Sequence, residues 1–281
     1  MKKMIYGMAL FSTVLLAGCQ TSDQDAAEQS ASSKSETAME SSASDTSSEN
    51  QADSSSEEAK EQTFLYEVNP DNYNIDPIKE DTESKVALIT IDDAPDKHAV
   101  EMAQKLKDIN APAVFFINGM YIESDEGKED LKKIYDMGFE IGNHTQTHAN
   151  LKEISEEKQK EEILRTSELI EEVTGEKPRF FRAPFGSNTD FSRSLAKQEK
   201  MTLMNWTYGY DWEKKYQDSA ALKDIMLNTE YLRDGANLLM HDRDWTNDAI
   251  VDIAEGLRDK GYTLVDPATI ISEGSEDGQN E

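Results

Sequence analysis

The chain reads as an α/β protein whose folded part is an incomplete (β/α) barrel of about seven parallel strands. Three observations predict this. Seven short apolar runs alternate with amphipathic helical patterns along residues 63 to 281. The connections between runs are long enough to carry each strand back parallel to its predecessor. The residues of chemical interest fall just after successive runs, and a barrel gathers its strand C-termini on one face, whereas an open sheet would spread them along an edge.

Taken in order, the first segment is not part of that barrel. "MKKMIYGMALFSTVLLAGCQ" has Lys2 and Lys3 before an apolar run from Met4 to Ala17, the pattern of a signal peptide over residues 1–18. The run is shorter than the ~20 residues that a membrane helix needs. "LAGC" looks like a lipobox, in which cleavage leaves Cys19 as the lipidated residue. The expected location is then the outer face of a cell membrane. Cys19 is the only cysteine, so no internal disulfide is expected. Residues 20 to 62 are Ser, Ala, Glu, Asp and Gln with almost no large apolar side chain, a composition that cannot offset chain entropy. With Cys19 they read as a disordered tether over 19–62, with a root-mean-square reach of roughly 35 Å and a contour of about 140 Å.

Residues 63–84 carry no chemical signal and read as a segment covering the barrel end. The strands follow as "VALITI" from Val86, "AVFFI" from Ala113, "FEIG" from Phe139, "RFFR" from Arg179, "MTLMNW" from Met201, "ANLLM" from Ala236 and "YTLV" from Tyr262. Helical patterns lie between them, from His98 to Ile109, Glu129 to Met137, Ser155 to Val173, Ser192 to Lys200, Ala220 to Leu232 and Asn247 to Lys260. Ser155 with the acids behind it reads as a helix start, Gly175 and Gly261 as helix ends, and Asp96 as an N-cap. The folded domain is expected over 85–272, with a flexible tail over 273–281.

The formal charge is −28. Residues 1 to 19 contribute +2 and residues 20 to 62 contribute −9, which leaves −21 on residues 63 to 281. Such a domain repels phosphate backbones, so nucleic acid is not an expected partner.

The chemistry centres on "HTQTH", residues 144 to 148, and on "TIDDAP", residues 90 to 95. Two imidazoles four residues apart share one side if the segment turns helical; the alternative is a solvated surface pair. Asp92 and Asp93 point to opposite sides of an extended backbone, so one could hold an ion while the other stays free as a base. Imidazole nitrogen and carboxylate oxygen suit one divalent ion, Zn²⁺ first, with Co²⁺ or Mn²⁺ as alternatives. His98 reads as a solvated surface residue. Trp206 and Tyr210 read as core or sugar platform, and Trp245 as a substrate-facing aromatic.

"TIDDAP", "AVFFING", "HTQTH", "RAPFG", "YDW" and "LMH" together resemble, in order, the successive motifs of the polysaccharide deacetylases, carbohydrate esterase family four or the NodB-homology domain. The resemblance spans roughly Lys85 to Asp266 and implies a distorted, incomplete (β/α) barrel. It implies Asp92 as general base, with Asp93, His144 and His148 as metal ligands. Arg182 would pair with Asp92, and Asp211 would orient and charge His241, the general acid. Pro184 and Phe185 would shape the groove, the Phe185 N–H helping to bind the oxyanion, and Trp212 and Leu239 would line the acetyl pocket. The sequence departs from the family at Ala94, where Gly is usual, and at Tyr208, where a second Asp is common, which puts metal preference and substrate range in question.

The function expected from these residues is metal-dependent removal of N-acetyl groups from amino sugars of an envelope polysaccharide, with peptidoglycan foremost, by a monomer. Rival expectations are an exported poly-N-acetylglucosamine or O-acetyl esters as substrate, or a non-catalytic glycan-binding surface lipoprotein.

Overall fold

The structure, a computed structural model, describes residues 63–275. The signal segment, Cys19, the tether and the last six residues of the expected tail lie outside the described residues. The elements are β1 (Tyr66–Val68), β2 (Ile75–Pro77), β3 (Val86–Ala94), α1 (Ala99–Asp108), β4 (Val114–Ile117), α2 (Asp125–Asp136), β5 (Glu140–Asn143) and α3 (Glu156–Thr174). They continue as β6 (Phe180–Phe181), α4 (Asp190–Gln198), β7 (Thr202–Leu203), β8 (Tyr208–Gly209), α5 (Ser219–Asn228), β9 (Ala236–His241), α6 (Asp244–Asp259) and β10 (Thr263–Leu264).

Seven parallel strands, in the order β7-β6-β5-β4-β3-β9-β8, curl into a half-barrel, and β10 pairs with the first residues of β3. β3 is central, and all nine of its residues are buried. Its side chains alternate between two cores, as a strand covered on both faces requires. Ala87, Ile89 and Ile91 pack outward under the helices with Leu106, Ile250 and Leu257. Val86 and Leu88 pack inward with Phe116, Phe180 and Met204. Continuing the inward row of every second residue, Thr90 and then Asp92 are reached, so a carboxylate arrives at the C-terminal mouth of the barrel.

The opposite mouth is closed by the antiparallel pair β1 and β2, whose Tyr66, Val68 and Ile75 complete the inner core. Both ends of the described chain sit at this lower rim. Leu65 N–H donates to Thr269 O and Ile271 N–H to Tyr66 O, and Glu273 N–H reaches Thr202 Oγ1 at the start of β7.

Four local expectations are corrected. "MTLMNW" is not one strand: β7 ends at Leu203 and β8 begins at Tyr208, because the Met204 and Asn205 carbonyls turn to accept from the Arg182 guanidinium at 2.8 and 2.9 Å rather than join a ladder. α2 begins before Glu129, at Asp125, because the Ser124 hydroxyl caps it through Gly127 N–H. α5 ends at Asn228, where Thr229 turns to extended backbone. Asp96 is not the cap of α1; the buried Asp242 carboxylate takes that place, accepting from the N–H groups of residues 96 to 99.

Candidate active site

At the C-terminal ends of the strands lies a cleft of about 500 Å³ lined by Asp92, Asp93, His144, His148, Phe185, Trp206, Asp211, Trp212, Gln217, Leu239, His241, Arg243 and Trp245. A larger cleft of about 740 Å³ at the other rim, near Glu140 and Arg179, is lined by no histidine or cysteine. The chemistry therefore sits at the upper mouth.

Asp92 closes the inward row of β3 and is buried. Its Oδ1 accepts from Arg182 Nη1 at 2.6 Å. Arg182, itself fully buried, is held on every side: Nη1 also donates to Thr90 Oγ1 at 2.7 Å, and the guanidinium lies 4.1 Å over the Phe116 ring. A buried arginine with all its directions used is rigid, and it fixes the Asp92 carboxylate in place.

Asp93 shares the cleft with Asp92, contrary to the simple alternation expected of an extended strand. Its φ is 61°, and the β3–β4 register shifts between Ile91 and Ala94, so the local irregularity turns the second carboxylate to the same side. Ala94, the position where the family usually has Gly, is not among the positive-φ residues.

The two histidines do not share a helix face. His144 leaves the end of β5 and His148 sits in irregular backbone, with Thr145 at φ 68° and His148 at φ 58°. The loop is tied by side chains that offer no local periodicity to read. Asn118 Nδ2 donates to His144 O at 2.7 Å, and the Glu162 carboxylate of α3 accepts from Thr147 N–H and Oγ1 at 2.7 and 2.6 Å.

Asp93 Oδ1 lies 3.9 Å from His144 Nε2 and 3.5 Å from His148 Nε2, and the three donor atoms fall within 4.8 Å of one another. His144 Nδ1 donates to Arg182 O at 2.7 Å, which leaves Nε2 facing both acids, 3.5 Å from Asp92 Oδ2 and 3.9 Å from Asp93 Oδ1. Burial, reinforced by His144, lowers the His148 pKa, which favours the neutral form that can ligate. Burial alone would raise the Asp93 pKa, but the imidazoles of His144, His241 and His148 and the Arg243 guanidinium outweigh it and lower it. One carboxylate and two imidazoles fit a divalent ion.

Across the cleft, the buried Asp211 accepts from the His241 N–H at 2.6 Å, from His241 Nδ1 at 2.7 Å and from Thr246 Oγ1 at 2.9 Å. His241 Nε2 is left for the cleft. Burial alone would lower the His241 pKa, but the Asp211 charge and hydrogen bond reverse this and raise it. Trp245 Nε1 donates to Asp211 O at 2.9 Å and forms part of the wall.

Leu239 forms the buried floor. Trp212, nearly half exposed at 48%, packs edge-on to His241, and Phe185, 65% exposed, packs edge-on to His148. Arg182 and Pro184 are buried behind the lining residues rather than on the cleft. Tyr208, where the family commonly has a second Asp, is buried in the outer core and donates to Met226 O at 2.8 Å, so it does not reach the cleft. Of the aromatics left open by sequence, Trp206 lines the cleft, while Tyr210 packs on the core and bonds Thr229. His98 bonds Asp244 at 2.8 Å, away from the cleft. Sequence reading missed Arg243, Asp242 and Gln217; two charges directly after His241 at a strand end were the available signal for the first two.

The sequence model of the family described as polysaccharide deacetylase matches residues 79–204. The peptidoglycan-N-acetylmuramic acid deacetylase PdaC of Bacillus subtilis is 31% identical over 215 residues, 74% of this chain and 44% of that protein. A peptidoglycan-N-acetylglucosamine deacetylase of Bacillus cereus is 30% identical over 188 residues, 64% of this chain and 68% of its own length. The first curated relatives matched are covered over only 44 to 50% of their length. The solved structure of PdaC superposes with a TM-score of 0.58 at 31% identity, covering 65% of this chain and 88% of that one. A family four carbohydrate esterase pseudoenzyme from Bacillus anthracis superposes with a TM-score of 0.59 at 28% identity, covering 65% of this chain and 63% of its own.

Proposed function

Since the chain belongs to the polysaccharide deacetylase family, we propose that it is a metal-dependent hydrolase that removes N-acetyl groups from the amino sugars of peptidoglycan. The observation that carries this reading is the pairing of two carboxylates with two different jobs in one cleft. Asp92 is held at Oδ1 by a buried arginine, and Asp93 presents Oδ1 to two imidazoles.

Asp93, His144 and His148 would hold the ion, Zn²⁺ being the one their donor set suits best. When bound, a divalent ion supplies Lewis-acid polarisation of the acetyl carbonyl and of an attacking water. Asp92 accepts the proton of that water as its oxygen bonds to the carbonyl carbon. The Phe185 backbone at the cleft rim, with φ 60°, is assigned to the developing oxyanion. His241, charged through Asp211, gives its Nε2 proton to the amide nitrogen as the C–N bond breaks, and the amine and acetate leave. Trp212 and Leu239 exclude water from the acetyl methyl.

Lipidation at Cys19, placement on the outer face of the cell membrane and a monomeric working form belong to the same proposal. They rest on the "LAGC" stretch and on the polar segment that follows it. A tether of that length suits a wall polymer near a membrane.

Acetate release from purified peptidoglycan and from N-acetylglucosamine oligomers tests the proposal, with the full chain stripped of metal and reloaded with Zn²⁺, Co²⁺ or Mn²⁺. Release should require metal, and Asp92→Asn should lower it about 10²- to 10⁴-fold while metal affinity stays near that of the unaltered chain. Metal binding without release from either substrate would sink the assignment and favour the non-catalytic reading that a pseudoenzyme of the same fold keeps in view.

A further inference from the structure

The three residues His241, Asp242 and Arg243 leave the end of β9 for different partners, and only the first is accounted for by acid–base chemistry. Asp242 is fully buried. Its Oδ2 accepts from the N–H groups of Asp96, Lys97 and Ala99 at 2.9, 2.7 and 3.1 Å, and its Oδ1 from His98 N–H at 2.6 Å. Its own N–H donates to Asp92 O at 3.0 Å. The loop after β3 is thus fastened to the end of β9 through one side chain.

Arg243 continues the attachment. Its Nη2 donates to Asp93 Oδ2 at 2.7 Å, its Nη1 donates to Asp242 O at 2.8 Å, and Nη1 lies 3.6 Å from an Asp96 oxygen. Asp93 is a non-glycine residue at φ 61°, a sparsely populated conformation that persists where neighbours over-determine it. The guanidinium takes Oδ2, so Oδ1 alone is turned to the imidazoles of His144 and His148.

We propose that Arg243 is a positioning residue for the metal site: anchored on Asp242, it fixes the Asp93 carboxylate so that one oxygen is presented as a ligand. The inference rests on the reading of Asp93, His144 and His148 as metal ligands. Outer partners of this kind orient ligands and raise affinity, and their loss costs about 10- to 100-fold in binding. A guanidinium beside a cation also repels it, so the sign of the effect separates positioning from simple charge.

The test is Zn²⁺ affinity of the full chain, stripped and then titrated in competition with a chromogenic chelator, for the unaltered protein, Arg243→Gln and Arg243→Lys, with thermal unfolding of each stripped form alongside. Arg243→Gln should bind Zn²⁺ about 10- to 100-fold more weakly with an unfolding midpoint close to that of the unaltered chain. Arg243→Lys, which keeps one charged donor, should fall between the two. Unchanged or tighter binding by Arg243→Gln would overturn the inference and leave the metal site standing. No Zn²⁺ binding by the unaltered chain would overturn the metal site and this inference together.

Discussion

At the scale of single residues, the cleft divides its acids by what lies behind them. Asp92 is backed by Arg182, Asp93 by Arg243, and Asp211 has no arginine but accepts three hydrogen bonds, two of them from His241. The last arrangement transmits a negative charge through a direct hydrogen bond to His241 Nδ1. His241 must be protonated to act as an acid, so activity should fall as pH rises through its raised pKa. Asp211→Asn removes the charge that raises it, and the alkaline limb of the kcat/KM profile should move to lower pH; a limb that stays in place would mean that another group titrates there. The cleft residues were legible as candidates where they fall at strand ends. Arg243 was not, because its partner Asp93 lies 150 positions earlier and no local periodicity reports such a pair.

At the scale of elements, the strand–helix alternation carried the fold, since β3 to β6 and β9 are apolar runs bounded by helices of ordinary length. Reading failed where a side chain overrides the backbone pattern. Arg182 draws two carbonyls out of the run after β7, Asp242 replaces the expected cap of α1, and left-handed residues in "HTQTH" open a loop where spacing allowed a helix. The approach of β8 to β9 shows the same precision in backbone form. Gly209 pairs in register with Leu239, and a Cβ there would sit 2.4 Å from Leu239 O and 2.8 Å from Trp212 Cζ3. Gly209→Ala should therefore cost about 1 to 3 kcal/mol of stability in urea unfolding and should raise KM through displaced Trp212 and Leu239. A variant as stable and as active as the original would show that the strands have room to part.

At the scale of the whole molecule, charge and the position of the chain ends matter most. In the proposed reaction deacetylation creates cationic amines, which the net charge of −28 attracts. Inhibition by fully deacetylated oligomers should accordingly weaken several-fold between roughly 10 mM and 150 mM salt, as the Debye length falls from about 30 Å to about 8 Å; inhibition indifferent to salt would point to contacts with the sugar ring alone. The described chain meets the lower rim at both of its ends, through Leu65 with Thr269 and Glu273 with Thr202, while the cleft opens at the upper one. Neither attachment casts a steric shadow over the opening, so the domain can be mounted by either end on a solid support and still press its working face flat against a polymer too large to diffuse.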